Sequence, residues 1–286
     1  MECYKKKDFK TTEIYCYKIL SINPNHFDSL SLLANIFAVS RNFSKSKELL
    51  EKAIKIQPEN TTILNNLGTA YRELGDTEKA MTFYQKVLSI NSNHTNANYN
   101  LGLIFFGFKE LKRAKEYLEK TVKIQPNYAF AHYSLGNLQK ELNELKQAKE
   151  SYLKAIKIRP SFASAQNNLG LVFSNIGDRD SAMECYKKVL EIDPKHAGVH
   201  NNLGRLYTES GELEKAIESH KMAMKLEPQN LVHTYYLNEL DKNFLNSEVK
   251  NKTEEILNNK DTRRTNLIYG NFLLSKYERN EKNYEK

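Results

Sequence analysis

The sequence predicts an all-α fold, a solenoid of antiparallel helix pairs, and three regularities predict it. All six prolines (Pro24, Pro58, Pro126, Pro160, Pro194 and Pro228) fall on one comb with a period of 34 residues, and its single empty tooth is Ser92. Glycine forms a second comb at Gly68, Gly102, Gly136, Gly170 and Gly204, each preceded by leucine at 67, 101, 135, 169 and 203. Alanine forms a third at Ala80, Ala114, Ala148, Ala182 and Ala216. A fixed period of this length marks stacked supersecondary units, none of which buries its apolar face alone.

Taken from the N-terminus, residues 1–26 read as a partial unit. Met1 falls in the middle of a first helix, and residues 12–20 form a second helix without a full partner. Six full units follow at 27–60, 61–94, 95–128, 129–162, 163–196 and 197–230. The first of these departs most from the pattern, with Ala34 in the glycine place and Ser46 in the alanine place. The unit at 61–94 shows the logic. Leu64, Leu67, Gly68 and Tyr71 follow the i, i+3, i+4, i+7 spacing of one helix face. Gly75-Asp76 supplies a turn with Asp76 as N-cap. Ala80, Tyr84 and Val87 line the second helix, which stops near Ser92, where the other units place proline. Gly68 and Ala80 let the two helices approach closely, and Tyr71 fills the space beside them.

The combs stop after Asn230. Residues 231–245 read as one helix able to seal the last unit. A polar stretch follows at 246–260. Residues 264–279 then read as a helix in which Tyr269-Gly270 and Leu273 imitate a first helix, with residues 282–286 as the turn into its partner. Solenoids cap their ends with polar-faced helices, so two raw ends imply a piece of a longer protein.

Composition narrows the function. Hydrophobic residues at 40% and charged residues at 27% suit a folded chain. No run approaches the ~18 apolar residues of a membrane span, and the basic N-terminus lacks the apolar run of a secretory signal. Cys3, Cys16 and Cys185 form no CxxC pair, which points to a reducing, cytoplasmic setting. The net charge of +8 reads as Lys and Glu alternating on solvated faces, since no Lys/Arg block is long and unopposed. Nor do basic residues interleave with stacking aromatics. Nucleic acid is therefore not the expected partner, and a nucleic-acid adaptor ranks third among the readings.

No chemistry-bearing constellation emerges, so the chain reads as a non-enzyme. There is no phosphate loop and no glycine-rich turn after a strand. The seven histidines lack zinc spacing; His196 and His200 are four apart, but the inter-unit turn runs into the first of them. Cys185 reads as a buried structural thiol. No metal and no cofactor is expected.

The period and the motif Leu-Gly-x-x-Tyr…Ala…Tyr/Leu…Ala/Val…Pro resemble the tetratricopeptide repeat over residues 11–230. The resemblance implies a right-handed solenoid whose first helices line a concave groove that holds a protein or peptide ligand. Helical geometry, at about 100° per residue, turns the residue two beyond Leu64 away from the core. That residue is Asn66, with equivalents Asn100, Asn168 and Asn202, and Ser134 breaks the ladder. The preceding position adds Asn65, Asn167 and Asn201, with Tyr99 and Tyr133 in the middle units. An Asn amide both donates and accepts, so a ladder of them can pair with an extended peptide backbone regardless of sequence. The same amides can instead stitch neighbouring units together. Leu103, Phe106 and Leu171 add apolar groups near this face, either as anchors for a ligand side chain or partly covered by a neighbouring helix. The basic residues of the family's two-carboxylate clamp are missing, and the asparagine ladder looks more like the repeat arm of O-GlcNAc transferase.

Residues 265–277 resemble the connector of bacterial tetratricopeptide-repeat sulfotransferases. That resemblance implies an alternative: the substrate-recruiting arm of a group-transfer enzyme, covalently continued into a catalytic domain that takes an adenylyl phosphosulfate donor. The sulfotransferase phosphate loop is not in this sequence, so no catalytic residue is assigned.

Overall fold

The computed structural model describes residues 8–241 and 243–284, with side chains described through 281. The expectations that fall on Met1 and Cys3 lie outside the described residues. Sixteen helices and no strand occupy the described part, as the all-α reading requires.

The chain divides into two compact units, Met1–Leu142 and Asn143–Lys286. The first holds α1 (Phe9–Ile22), α2 (Phe27–Val39), α3 (Phe43–Ile56), α4 (Thr61–Glu73), α5 (Thr77–Ile90), α6 (Thr95–Gly107), α7 (Leu111–Ile124) and α8 (Ala129–Glu141). The second holds α9 (Leu145–Ile158), α10 (Ala163–Asn175), α11 (Arg179–Ile192), α12 (Ala197–Glu209), α13 (Leu213–Leu226), α14 (Leu231–Leu240), α15 (Ser247–Leu257) and α16 (Arg264–Tyr284). Even-numbered helices are the first of each pair and odd-numbered ones the second. Within each unit successive helices pack on each other, most closely inside a pair, except at the C-terminus, where α14 packs on α16 rather than on α15.

Two kinds of turn alternate along the chain. The turn inside a pair passes through one left-handed residue, at Arg41, Gly75, Lys109, Asn143, Gly177 and Gly211 in succession, again 34 apart. Glycine takes that conformation without strain, and Asn tolerates it. The turn between pairs follows an extended residue, such as Gln57 (φ −130, ψ 81) before Pro58. A following proline excludes the helical region for that residue. Asn91 keeps the same geometry (φ −138, ψ 94) with Ser92 in the proline place. The turn therefore survives without its proline.

The glycine comb is explained by what lies against it. A Cβ built on Gly68 would sit 2.6 Å from Tyr84 Cε1, and one on Gly170 would sit 2.6 Å from Tyr186 Cε1. On Gly102 the obstacle is Leu118, and on Gly204 it is the ring of His220. These second-helix side chains are all but fully buried, with Val87 and Leu101 packed around Tyr84 in the first unit and Val189 and Leu203 around Tyr186 in the second. The ring against Gly68 is thus Tyr84 rather than Tyr71, which corrects the sequence reading. Tyr71 instead stacks on Phe83 at 5.4 Å and donates its hydroxyl to Glu51 Oε1 at 2.6 Å, reaching back to α3. That bond and partial burial push the phenol up to about 12.

Three C-terminal expectations are corrected. The helix expected at 231–245 ends at Leu240. The stretch at 246–260 is not simply polar, because it contains α15. Asn246 caps α15 by accepting from Val249 N, and Thr253 and Ile256 form a narrow buried face among charged residues. The final helix runs unbroken to Tyr284, so no turn interrupts it at 282. In the N-terminal unit, α1 extends beyond the expected 12–20 at both ends, capped by Asp8.

His220 is a buried titratable group. It is 0% exposed, its ring stacks on Tyr236 at 5.2 Å, and neither ring nitrogen has a hydrogen-bond partner among the described residues. Burial, helped by His233 and Arg205, pushes its pKa down to about 4.

Two predictions follow from this packing. Gly68→Ala overpacks the α4–α5 contact and should cost about 1–3 kcal/mol, whereas a Cβ on Gly107 meets nothing within 4 Å. Gly107→Ala should therefore be neutral or stabilising by up to about 1 kcal/mol; denaturation midpoints check the contrast. For His220 the folded pKa lies below the unfolded value of about 6.5. Between those values the unfolded chain binds a proton that the folded chain refuses, so stability present above pH ~6.5 is lost on acidification towards pH ~4. His220→Leu, with the side chain that Leu50 and Leu118 place at the equivalent positions, should flatten the thermal midpoint against pH across that window.

Candidate functional site

The first helices bury one face against the second helices and present another. The opposite stripe runs through four places spaced one turn apart. On α4 these are Thr62, Asn66, Thr69 and Glu73; on α6 they are Asn96, Asn100, Leu103 and Gly107. In the second unit they are Ser164, Asn168, Leu171 and Asn175 on α10, and Gly198, Asn202, Arg205 and Glu209 on α12. The outer places, such as Thr62, Asn96, Ser164 and Gly198, stand exposed, while the ladder place is half-buried or buried.

The asparagines reach sideways to the neighbouring pair. In the first unit Asn66 Nδ2 donates to Asn35 Oδ1 at 3.1 Å, and Asn100 Oδ1 accepts from Arg72 Nη1 at 2.7 Å. Arg72 also pairs with Glu73 at 2.8 Å. In the second unit Asn202 Nδ2 donates to Asn167 Oδ1 at 3.1 Å, and Asn167 Nδ2 donates to Asn168 Oδ1 at 3.3 Å. Asn201 Oδ1 lies 3.3 Å from His233 Nδ1 on α14. The amides thus stitch neighbouring pairs. Asn65 lies deeper than its sequence position implies. It is 7% exposed, and its Oδ1 has no partner among the described residues.

Of the apolar candidates, Leu103, Phe106 and Leu171 are each half-buried. Phe130, one turn before Ser134, is more exposed, at 45%. Tyr99 tilts against Tyr128 at 5.0 Å and bonds Ser134 Oγ through its hydroxyl. Sequence reasoning did not assign Arg72 or Arg205 to this surface. Their signal lay in the spacing, since Arg205 is three residues beyond Asn202 and Arg72 six beyond Asn66.

Charge divides sharply between the two helix types. The first helices α2 to α12 contain Asp28, Arg72, Glu73, Lys140, Glu141, Arg205 and Glu209 as their only charged residues, which nearly cancel. The second helices carry the lysine excess. In α7 alone, Lys112, Arg113, Lys115, Lys120 and Lys123 face two glutamates. The ladder surface is therefore polar but almost uncharged.

The remaining candidate chemistries are accounted for by structural roles. His196 Nδ1 accepts from Val199 N as the cap of α12, and His200 Nε2 bonds Pro194 O at 3.0 Å. Cys185 is buried, and desolvation pushes its thiol up to about 11, away from the reactive thiolate. Among the described residues no group of three His, Cys, Asp or Glu side chains is placed to hold an ion, and no helix is long and apolar enough to cross a membrane.

Comparison with known families and structures gives a consistent picture. Models of the tetratricopeptide repeat match residues 27–60 and 95–128, 62–94 and 163–196, and 185–218, and a TPR repeat model matches 136–177. No curated protein matches. Among solved structures, YrrB, described as a TPR protein with an unusual peptide-binding site, is 26% identical with a TM-score of 0.58. The match covers 65% of this chain and 96% of that one. MamA is 29% identical with a TM-score of 0.51, covering 58% and 97%. The pilF protein of Pseudomonas aeruginosa shares the fold, with a TM-score of 0.68 at 18% identity over 74% and 97%. The family models lie within residues 27–218, so the connector resemblance at 265–277 rests on its sequence alone.

If the Arg72–Asn100 bond holds α4 to α6, a double-mutant cycle with Arg72→Met and Asn100→Ala should return a coupling of about 0.5–1.5 kcal/mol in urea unfolding. Additive losses would show that the bond contributes no net stability.

Proposed function

The chain belongs to the tetratricopeptide repeat family, whose members mediate protein–protein interaction, and from that premise we propose that it is a non-catalytic scaffold that binds an extended peptide or partner segment along the asparagine-bearing face of its first helices. The observation that carries this reading is the near-absence of charge on that face, set against the lysine excess of the second helices. Such a face suits neutral peptide backbone rather than an acidic tail or a phosphate chain.

Each amide offers two donors and an acceptor with two lone pairs. The bond from Asn66 to Asn35 uses one donor. The same amide therefore fixes the neighbouring helix and still has groups to offer a ligand. Leu103 and Leu171, one turn beyond Asn100 and Asn168, supply apolar footing for ligand side chains, and Asn65, Asn167 and Asn201 extend the polar surface. YrrB, by its description, carries a peptide-binding site on the same repeat, which supports the assignment. The segment at 265–277 packs as helix against α14 and α15, an arrangement that serves a repeat cap equally well. The group-transfer reading thus rests on sequence likeness alone.

The test uses peptides selected on the immobilised chain from a random display library. Replacing Asn66, Asn100, Asn168 and Asn202 together with Ala removes four bonds of at least ~0.5 kcal/mol each, so affinity should fall ~30-fold or more. Far-UV circular dichroism should keep its helical signature, because the apolar core is untouched. Binding should also change little as salt rises. Selected peptides that ignore the four substitutions, or whose binding collapses with salt as phosphate-type contacts do, would overturn the reading.

A further inference from the structure

The glycine contact has no counterpart between α14 and α15. Asn238 stands in the glycine place, 34 residues beyond Gly204, and Glu254 stands in the place of Tyr186 and His220. Lys250 takes the alanine place and pairs with Glu254 at 3.7 Å. Asn238 is 1% exposed, and neither its Oδ1 nor its Nδ2 has a hydrogen-bond partner among the described residues. A side chain in that place denies α15 the close approach that bare glycine backbone allows, and a charged Glu254 cannot be buried there without a large desolvation cost. Helix α15 accordingly packs on α16 and stands off α14.

The gap is a cavity of about 430 Å³, within the range of about 300–1,000 Å³ that small-ligand sites span. Met224 and Pro228 beside α14, Leu231 on it, Phe244 in the linker, and Val249 and Ile256 on α15 make it apolar. The polar groups that line it lean towards accepting. Thr253, buried on α15, donates its hydroxyl to Val249 O at 2.7 Å, so only its lone pairs remain. Asp241 accepts one bond, from Asn243 N, and neither it nor Glu248 has an ion-pair partner among the described residues. Thr234 and Asn243 can donate or accept. Asn246 gives its oxygen to Val249 N, which leaves its amide nitrogen and the Lys252 ammonium as donors. Two exposed carboxylates thus stand against one exposed ammonium around an apolar interior.

We propose that this cavity binds a small organic amine, with an apolar body of aromatic-ring size between α14 and α15 and a protonated nitrogen at the Asp241 and Glu248 carboxylates. The Thr253 oxygen is a further acceptor for an N–H of the body. An acid of the same shape brings a third negative charge to the two carboxylates, and a neutral alcohol forgoes the attraction of both. The site therefore ranks ligands of one shape by the charge of their head group, cation before alcohol before anion.

Tryptamine, tryptophol and indole-3-acetate share one body and differ in that head group. The chain has no tryptophan, so indole fluorescence anisotropy reports the probe alone when the full chain is titrated in. The expected result is a saturable rise with tryptamine, a dissociation constant about fivefold weaker for tryptophol, and weaker binding still for indole-3-acetate. With methyl-labelled methionine, the Met224 signal should shift on adding tryptamine while those of Met81 and Met183 stay in place. Asp241→Asn with Glu248→Gln, both at exposed positions, should keep the fold and equalise tryptamine and tryptophol. Thr234→Leu, with the residue that Leu64 places at the equivalent position, narrows the cavity and should weaken all three probes, with circular dichroism to verify helicity. No saturable binding of tryptamine up to ~10 mM overturns the proposal. So does indole-3-acetate binding as tightly as tryptamine, a Met224 signal that does not move, or a tryptamine preference that survives loss of both carboxylates.

Discussion

The repeating part of this fold hangs on the contact between a glycine on a first helix and a large side chain on the second. Gly68 against Tyr84, Gly102 against Leu118, Gly170 against Tyr186 and Gly204 against His220 leave no room for a single methyl group. Close approach of backbone to side chain fills the space between two helices at interior density. It also fixes which side of each helix faces inward. Once that is set, the remaining sides of the first helix are assigned by elimination: one to the preceding pair and one to solvent. The partial charges of turns and caps, the stacking of pairs and the composition of the exposed stripe all inherit that choice. His220 shows how strict the place is. It admits an imidazole without hydrogen bonds and holds it neutral rather than opening to water.

The division of charge follows from the same geometry. A second helix is covered on one side and faces water on the other, so a wide arc of it tolerates lysine and glutamate. Residues such as Lys112 and Glu116 of α7 stand exposed on that side. A first helix is flanked by the first helices of neighbouring pairs as well as by its own partner. Its solvent stripe is narrow, and a long charged chain there would have to be desolvated or paired, as Arg72 is with Glu73 and Asn100. Asparagine is short, polar and neutral, and it can satisfy itself on the next helix. A polar, uncharged face is thus partly a by-product of close stacking.

How much of this could be read from the sequence depended on whether a feature recurs. The combs made the pairs, their turns and the Tyr84 and Val87 core legible, because each position is sampled six times over. The geometry at Asn91 was legible despite Ser92, since its neighbours in register had already defined it. Where the period ends, the reading weakened. Helix α15 buries chiefly Thr253 and Ile256 among Lys250, Lys252, Glu254 and Glu255, too narrow an apolar face to signal a helix alone. At the candidate site the ladder and its capacity to stitch neighbouring units were legible, but the partner of each amide was not, because a hydrogen bond between neighbouring pairs depends on the offset between helices rather than on spacing along one. Arg72 escaped for that reason: it serves Asn100, 28 residues away in sequence but adjacent in the stack.

That sideways bonding bears directly on how such a face would work. A free asparagine on a helix surface samples several rotamers, and ordering it on a ligand costs entropy that a single neutral hydrogen bond barely offsets. An asparagine already tied to its neighbour, as Asn66 is to Asn35 and Asn202 to Asn167, has lost that freedom at folding. Its remaining donors and lone pairs then stand in fixed directions, and ligand binding no longer carries the ordering cost. Stitching and recognition are therefore not rival roles for these amides. The first would make the second energetically worthwhile, and a face built this way would read the regular spacing of an extended backbone better than the identity of its side chains.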